Sequence, residues 1–425
     1  MATSPATTTA QQRNPFRIIA AASIGNALEW YDIAVYAIFA TVISKVFFPA
    51  QDETVSLLLT LGTFGVSFLI RPVGAVVLGA YADRAGRKAS LTLSIRLMVL
   101  GTAMICLMPS YEAIGVIAPI GILLARLIQG FSAGGEFGSA TAFMVEHLPG
   151  RRGFVASWQF ASQGLSTLVS AGMGVLLTTT LPPDQLQSWG WRIPFAVGLL
   201  VGPVGYYIRR FVDEAPEFAE QAEAPKSPVR TVLRTQKGRV LLVIGALLVS
   251  TVLNYTITYM PTYAIKELGL PASASFTATL VTGVILTAVT PLAGHLSDKI
   301  GRVRLMSAFA ALILLLIYPV FAVLVAFPGF GVMVGVMLVI GLLKACYFGA
   351  LPALMAELFP TETRATGMSV GYNIGVSVFG GFTPFISTWL IGVSGSNLAP
   401  SFYLMFAAAA SLLSLLVIRR NTGIR

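Results

Sequence analysis

Gly79–Lys88 reads GAYADRAGRK, a short charged turn between two long apolar runs. Gly79, Asp83, Arg84, Gly86, Arg87 and Lys88 carry its pattern. A weaker copy, GHLSDKIGR, returns in the second half with Gly294, Asp298, Lys299, Gly301 and Arg302. A second pair of turns also repeats, EHLPGRRG from Glu146 and ELFPTETRATG from Glu357. In each, Pro follows Glu by one helical turn and Arg and Gly come after. Proline halts a helix and glycine tolerates a tight reversal. A repeat of such long period predicts two similar halves, which constrains the fold more than any single motif.

What lies between the turns decides the class. The 425 residues are 56% hydrophobic and only 11% charged, with a mean hydropathy of +0.80. Soluble domains carry about 25% charged residues, so the composition is that of a polytopic membrane protein. Runs of about 20 apolar residues, the length of a spanning helix, fall at 17–45, 54–82, 89–109, 113–145, 153–181, 190–210, 239–265, 273–297, 304–327, 330–358, 365–392 and 400–419. The prediction is an all-α membrane protein of twelve transmembrane helices in two pseudo-symmetric six-helix bundles.

The net charge of +10 does not speak for a nucleic-acid partner, because the basic residues are scattered through short loops. That is the pattern of orientation signals, and it predicts both termini on the cytoplasmic side. The segment 211–238, with acidic residues crowded between Asp213 and Glu223, reads as a cytoplasmic linker. The expected organisation is a tail at 1–16, a bundle at 17–210, the linker at 211–238, a bundle at 239–419 and a tail at 420–425. Cys106 and Cys346 lie inside apolar runs and read as core.

Four stretches carry a family resemblance: GNALEWYD (Gly25–Asp32), FLIRPVGAVVLGAYADRAGRK (Phe68–Lys88), ARLIQGFSAGGEFG (Ala125–Gly138) and WGWRIPF (Trp189–Phe195). They resemble the metabolite:proton symporters of the major facilitator superfamily, which include carriers for 2-oxoglutarate, citrate or tricarballylate, shikimate, and proline or betaine. In the second half, TYMPTYA (Thr258–Ala264) and FGGFTPFIST (Phe379–Thr388) look most like the citrate and tricarballylate carriers. The resemblance implies the major facilitator fold in a bacterial cytoplasmic (inner) membrane, with a central cavity and alternating access by rocking of the halves. Repeat transporters place their sites near the midplane where the halves meet.

An ionisable group at mid-bilayer costs about 2.5–3.5 kcal/mol on insertion scales, so each such group needs a reason. On the first span, Asn26, Glu29, Asp32 and Tyr36 share an arc of about 120°, which is expected to face the cavity. Desolvation favours the protonated form of a buried carboxyl. Glu29 or Asp32 is therefore expected to carry a coupling proton, with Glu136 of the fourth span alongside; the alternative is a structural ion pair with an inward arginine. Arg126 and Gln129 share a face of the fourth span with Glu136, and Lys344 lies at similar depth on the tenth. Two cations in opposite halves suit an organic anion, with Arg bidentate to a carboxylate and Lys a point charge. Gln159 and Gln163 on the fifth span, Asn254 on the seventh and Asn373 on the eleventh complete the expected substrate wall, although such groups also serve as bonds between helices.

The repeated turns are expected to act as latches. Asp83 would meet the start of the eleventh span and Arg364, and Asp298, beside Arg302, would meet the fifth span and Arg152. The function expected is proton-coupled import of a di- or tricarboxylate. A zwitterion carrier for proline or betaine, or a sensor or channel without turnover, is the alternative. An enzyme is not expected: GMSVG (Gly367–Gly371) sits inside a span with no strand before it, a context the nucleophile elbow requires. Expected partners are the anion, protons and lipid, with no nucleic acid, cofactor or metal and with a monomer as the working unit.

Overall fold

A computed structural model describes residues 15–85, 87–134, 136–147, 149–200, 203 and 228–424. Among these the regular structure is entirely helical. The spans are α1 (Pro15–Ile38, continued as Ala40–Phe47), α2 (Glu53–Leu69 and Arg71–Ala85), α3 (Arg87–Leu107), α4 (Ile117–Ser132 and Glu136–His147), α5 (Arg152–Thr180) and α6 (Arg192–Leu199). The second half holds α7 (Lys237–Glu267), α8 (Ala272–Ile300), α9 (Arg302–Ala326), α10 (Phe330–Leu358), α11 (Arg364–Gly375, a π-turn at Val376–Gly380, then Thr383–Ser394) and α12 (Ala399–Thr422). The expected sixth span, 190–210, is described only in its first part, and most of the linker lies outside the described residues. The linker's end forms a short helix, Pro228–Thr235, against α11 and α7.

Two of the interruptions in expected continuous spans shape the site. α1 bends by 67° at Phe39. α4 is interrupted after Ser132, where a stretch rich in small residues brings it against α2. A Cβ on Gly134 would meet the backbone of Arg71 and Ala75, and one on Gly130 would strike the Ser67 carbonyl. Only glycine allows the two backbones so close, a common device for helix contact in lipid. The α8–α9 turn needs glycine for a different reason, because Gly301 has φ of 99°, a region that side chains avoid.

The packing repeats as the sequence does. α1 packs on α5, α2 on α4 and α3 on α6; six helices later α7 packs on α11, α8 on α10 and α9 on α12. The halves meet where α5 runs along α8 and, by the same symmetry, where α2 meets α11. Burial follows this plan: 78% of the most apolar window of α7 is buried against 28% for α9. α7 is therefore a central helix, and α9 turns its apolar side outward.

Candidate functional site: a closed central cavity

Both described termini, Pro15 and Ile424, lie at one end of the bundle, here the terminal end. There Asp298 of α8 accepts the backbone N–H groups of Gly153 (2.8 Å) and Phe154 (3.0 Å), capping the start of α5 across the halves. A carboxylate at a helix N-terminus is favoured both by the open N–H groups and by the helix dipole. Arg302 joins this group, 3.0 Å from Asp298 and 3.1 Å from Glu357. The expected Asp298–Arg152 pair is not formed, because the carboxylate is already occupied by backbone N–H groups and Arg302. Arg364 of α11 likewise takes an unexpected partner, Glu146 of α4, at 2.8 Å. Asn373 donates to the Gly134 carbonyl at 2.7 Å. It is a bond across the seam and not part of the cavity wall. The side chains of Asp83, Arg84, Arg87, Lys88 and Glu136, and the surroundings of Gly79 and Gly86, lie outside the described residues.

The opposite end is closed as well. Lys266 of α7 pairs with Glu53 of α2, Phe39 stacks on Phe276 with centroids 5.5 Å apart, and Gly62 receives Phe385 at van der Waals distance. Between the closures lies a cavity of about 10 Å³, lined by Trp30, Ile33, Ala34, Gln163, Thr167, Asn254, Tyr255 and Thr258. That is room for roughly one water. The conformation is occluded.

Gln163 and Asn254 stand on the cavity wall as expected from the sequence. Lys344 stands behind Asn254: it is 1% exposed and donates to Asn254 Oδ1. The ion pairs resolved at Glu53, Asp298, Glu357 and Glu146 do not involve it. Lys344 is thus a buried amine held by a neutral amide. One wall residue also keeps a donor without a protein partner, the Tyr255 hydroxyl.

The α1 arc is a correction. The wall is made by Trp30, Ile33 and Ala34, and Asp32 points away from them into the first bundle. Asp32 accepts from Thr102 of α3 and lies so close to α6 that a Cβ on Gly198 would strike it. Tyr36 stacks on Phe64 and bonds the Thr60 carbonyl at 3.4 Å, while Asn26 and Gln159 bond each other and Ser162. These three are packed within the first half and do not line the cavity. Glu29 is half-buried on the same helix and engaged in an interaction.

Arg126 is also displaced from its expected place. Its guanidinium donates to Gln129 (2.8 Å) and Ser67 (3.3 Å) and lies over the rings of Tyr36 and Phe64. Gln129 in turn donates to Thr102 at 2.9 Å. A continuous chain results, Arg126–Gln129–Thr102–Asp32, in which Arg126 reaches the carboxyl only through two neutral groups. Phe64 then touches Tyr255 on the cavity wall, with centroids 5.9 Å apart. Sequence reading missed Thr102 and Tyr255. Neither stood out from the other hydroxyl-bearing residues of its span, although Tyr255 directly follows the chosen Asn254.

The fold and this charged interior define a membrane transporter, and the comparisons agree. The pattern that defines the Major Facilitator Superfamily matches residues 22–370 and 279–423; the chain belongs to that family. It is 39% identical over 405 residues to the citrate-proton symporter of Klebsiella pneumoniae, covering 94% of this chain and 91% of that one. It is 33% identical over 412 residues to the proline/betaine transporter of Escherichia coli K12, covering 94% and 82%. Among solved structures, the proton:xylose symporter XylE matches with a TM-score of 0.76 at 18% identity, over 96% of this chain and 95% of that one. At that identity the match speaks for the fold alone.

Proposed function

We propose that the chain is a proton-coupled symporter importing a small organic anion, a di- or tricarboxylate such as citrate, tricarballylate or 2-oxoglutarate, by alternating access. The observation that carries this reading is Lys344, fully buried beside the cavity with a neutral partner. A buried charge is tolerated where it is paired, and a substrate carboxylate supplies the missing charge. Gln163 and Tyr255 add hydrogen-bond donors on the same wall, which suits oxygen acceptors. The similarity to a citrate-proton symporter supports the substrate class.

Asp32 is the group we assign to the proton. Protonated, it stops drawing on the Thr102–Gln129–Arg126 chain, and Arg126 relaxes against Tyr36 and Phe64, behind the cavity wall. In this reading the terminal end faces the cytoplasm, Asp298 and Arg364 hold it closed, and the Lys266–Glu53 side faces outward. The N-terminal bundle ends near 210 and the C-terminal bundle begins near 239.

The test is uptake into proteoliposomes under an inward proton gradient, with labelled citrate, tricarballylate, 2-oxoglutarate, proline and betaine. Accumulation of a carboxylate that collapses with the gradient, and is lost by at least tenfold in Lys344→Gln, is expected. Accumulation of proline or betaine alone, or full carboxylate uptake by Lys344→Gln, refutes the reading.

A further inference from the structure

Four aromatic rings plug the seam on the terminal-end side of the cavity. They are Phe348 of α10, Phe160 of α5, Phe137 of α4 and Tyr372 of α11. Phe348 stacks on Phe160 at 4.1 Å, Phe160 on Phe137 at 5.6 Å, and Phe137 on Tyr372 at 3.7 Å with planes only 7° apart. The two middle rings belong to the first half and the two outer rings to the second. Opening the terminal end must therefore break the first stack and the last. The row is also anchored at one end. Lys344, one helical turn before Phe348, holds its Nζ 4.4 Å from the Phe348 ring centroid.

We propose that Phe348 is a positioning residue that couples the charge of Lys344 to this plug; the proposal rests on Lys344 taking a substrate carboxylate. Before binding, the ammonium attracts the face of Phe348 and keeps the ring seated on Phe160. Cation–π attraction is strongest where both groups are desolvated, as here. A carboxylate entering the cavity draws Nζ toward itself and away from the ring. The stack on Phe160 then loses its anchor, and opening at the terminal end becomes easier. This supplies what any ligand-driven transition requires, an interaction that differs between the closed and open states. It also sets specificity: a solute without an anionic group leaves Nζ on the ring and the plug in place.

The test uses purified full-length protein with nitroxides at Arg151→Cys and Lys299→Cys, exposed positions at the ends of α5 and α8, in a Cys106→Ser, Cys346→Ser background. The distance distribution is recorded with and without citrate, and citrate affinity is measured separately by calorimetry. In Phe348→Leu the open population without citrate is expected to rise about tenfold, the size of one aromatic contact plus its cation. Citrate is expected to add less than a further twofold, with affinity within threefold of wild type. Phe348→Trp is expected to restore the citrate response. The proposal is overturned if Phe348→Leu keeps the wild-type closed population and citrate response, if tryptophan restores nothing, or if affinity falls tenfold with the gate unchanged. Failure of the wild type to bind citrate, tricarballylate and 2-oxoglutarate alike sinks the anion reading instead. The lock is then judged on the substrate-free arm, where a closed Phe348→Leu sinks it too.

Discussion

The α5–α8 seam sets which end of the molecule is open, and one methyl group at either end should tilt it. At the terminal end, a Cβ on Gly294 would lie 2.5 Å from the Gly153 carbonyl oxygen and 2.6 Å from Ser157 Oγ. Ordinary contact begins near 3.4 Å, so the deficit is about 0.9 Å against backbone that cannot rotate away. Gly294→Ala must therefore push α5 from α8 at that end. Overpacking of this kind costs about 1–3 kcal/mol, and the cost falls on the state in which the end is closed. The open population should rise roughly 5–150-fold. At the opposite end, a Cβ on Gly174 would lie 2.7 Å from the Phe276 ring. A ring can turn, so Gly174→Ala should open that end by the lower part of the same range.

The assay is distance measurement between nitroxides at Arg151→Cys and Lys299→Cys for the terminal end, and at Thr180→Cys and Pro271→Cys for the other; all four positions are exposed. Gly294→Ala should add a longer component to the first pair only, and Gly174→Ala to the second only. Unchanged distances in Gly294→Ala, or lengthening of the opposite pair, would falsify the argument that the seam is closed by backbone contact at both ends.

Other expected outcomes follow from the same geometry. Asp298→Asn retains an oxygen for one N–H of α5 but loses the charge at the helix start, about 1 kcal/mol, so the terminal end should open several-fold on the same labels; no change refutes the capping role. Asp32→Asn should abolish gradient-driven accumulation while leaving citrate counterflow within about threefold, and persistent accumulation removes Asp32 as the proton carrier. Lys266→Gln breaks an ion pair with 24% and 67% of its side chains exposed, worth under about 1 kcal/mol; it should loosen the opposite end by less than about fivefold, and the effect should shrink in high salt. A salt-independent effect would point to packing instead.

The repeat in the sequence made the halves legible, because GHLSDKIGR and ELFPTETRATG mark the same turns as their first-half copies. The breaks were not legible. Apolar runs look continuous across Phe39 and Gly134, and only the approach of α2 to α4 shows why one of them must yield. Asp298, Arg302 and Arg364 were singled out in the sequence, but not all the partners they take in the structure. Arg364 pairs with Glu146, which lies in the other quoted turn, and nothing in linear spacing distinguishes that carboxylate from Asp83. The aromatic row was invisible for a related reason: Phe137, Phe160 and Phe348 at helical spacing read as ordinary core.

The largest gap concerns direction. A rotation of 100° per residue states which side chains share a face, and Asn26, Asp32 and Tyr36 do. It has no reference for which neighbour that face meets. Here the face meets the first bundle's own α2, α3, α5 and α6, while the cavity takes Trp30, Ile33 and Ala34 from the flank of that arc. The consequence is mechanistic. The assigned proton group and Lys344 lie in different halves, and the path between them runs from Asp32 through Thr102, Gln129 and Arg126 to Phe64, then across to Tyr255 beside Asn254. Linkage requires that whatever factor protonation adds to anion affinity, the anion adds to proton affinity. With no direct ion pair between Asp32 and Lys344, packing across Phe64 and Tyr255 is a route by which that factor is carried. Substitution of Phe64, which does not line the cavity, should therefore weaken coupling while sparing both binding events.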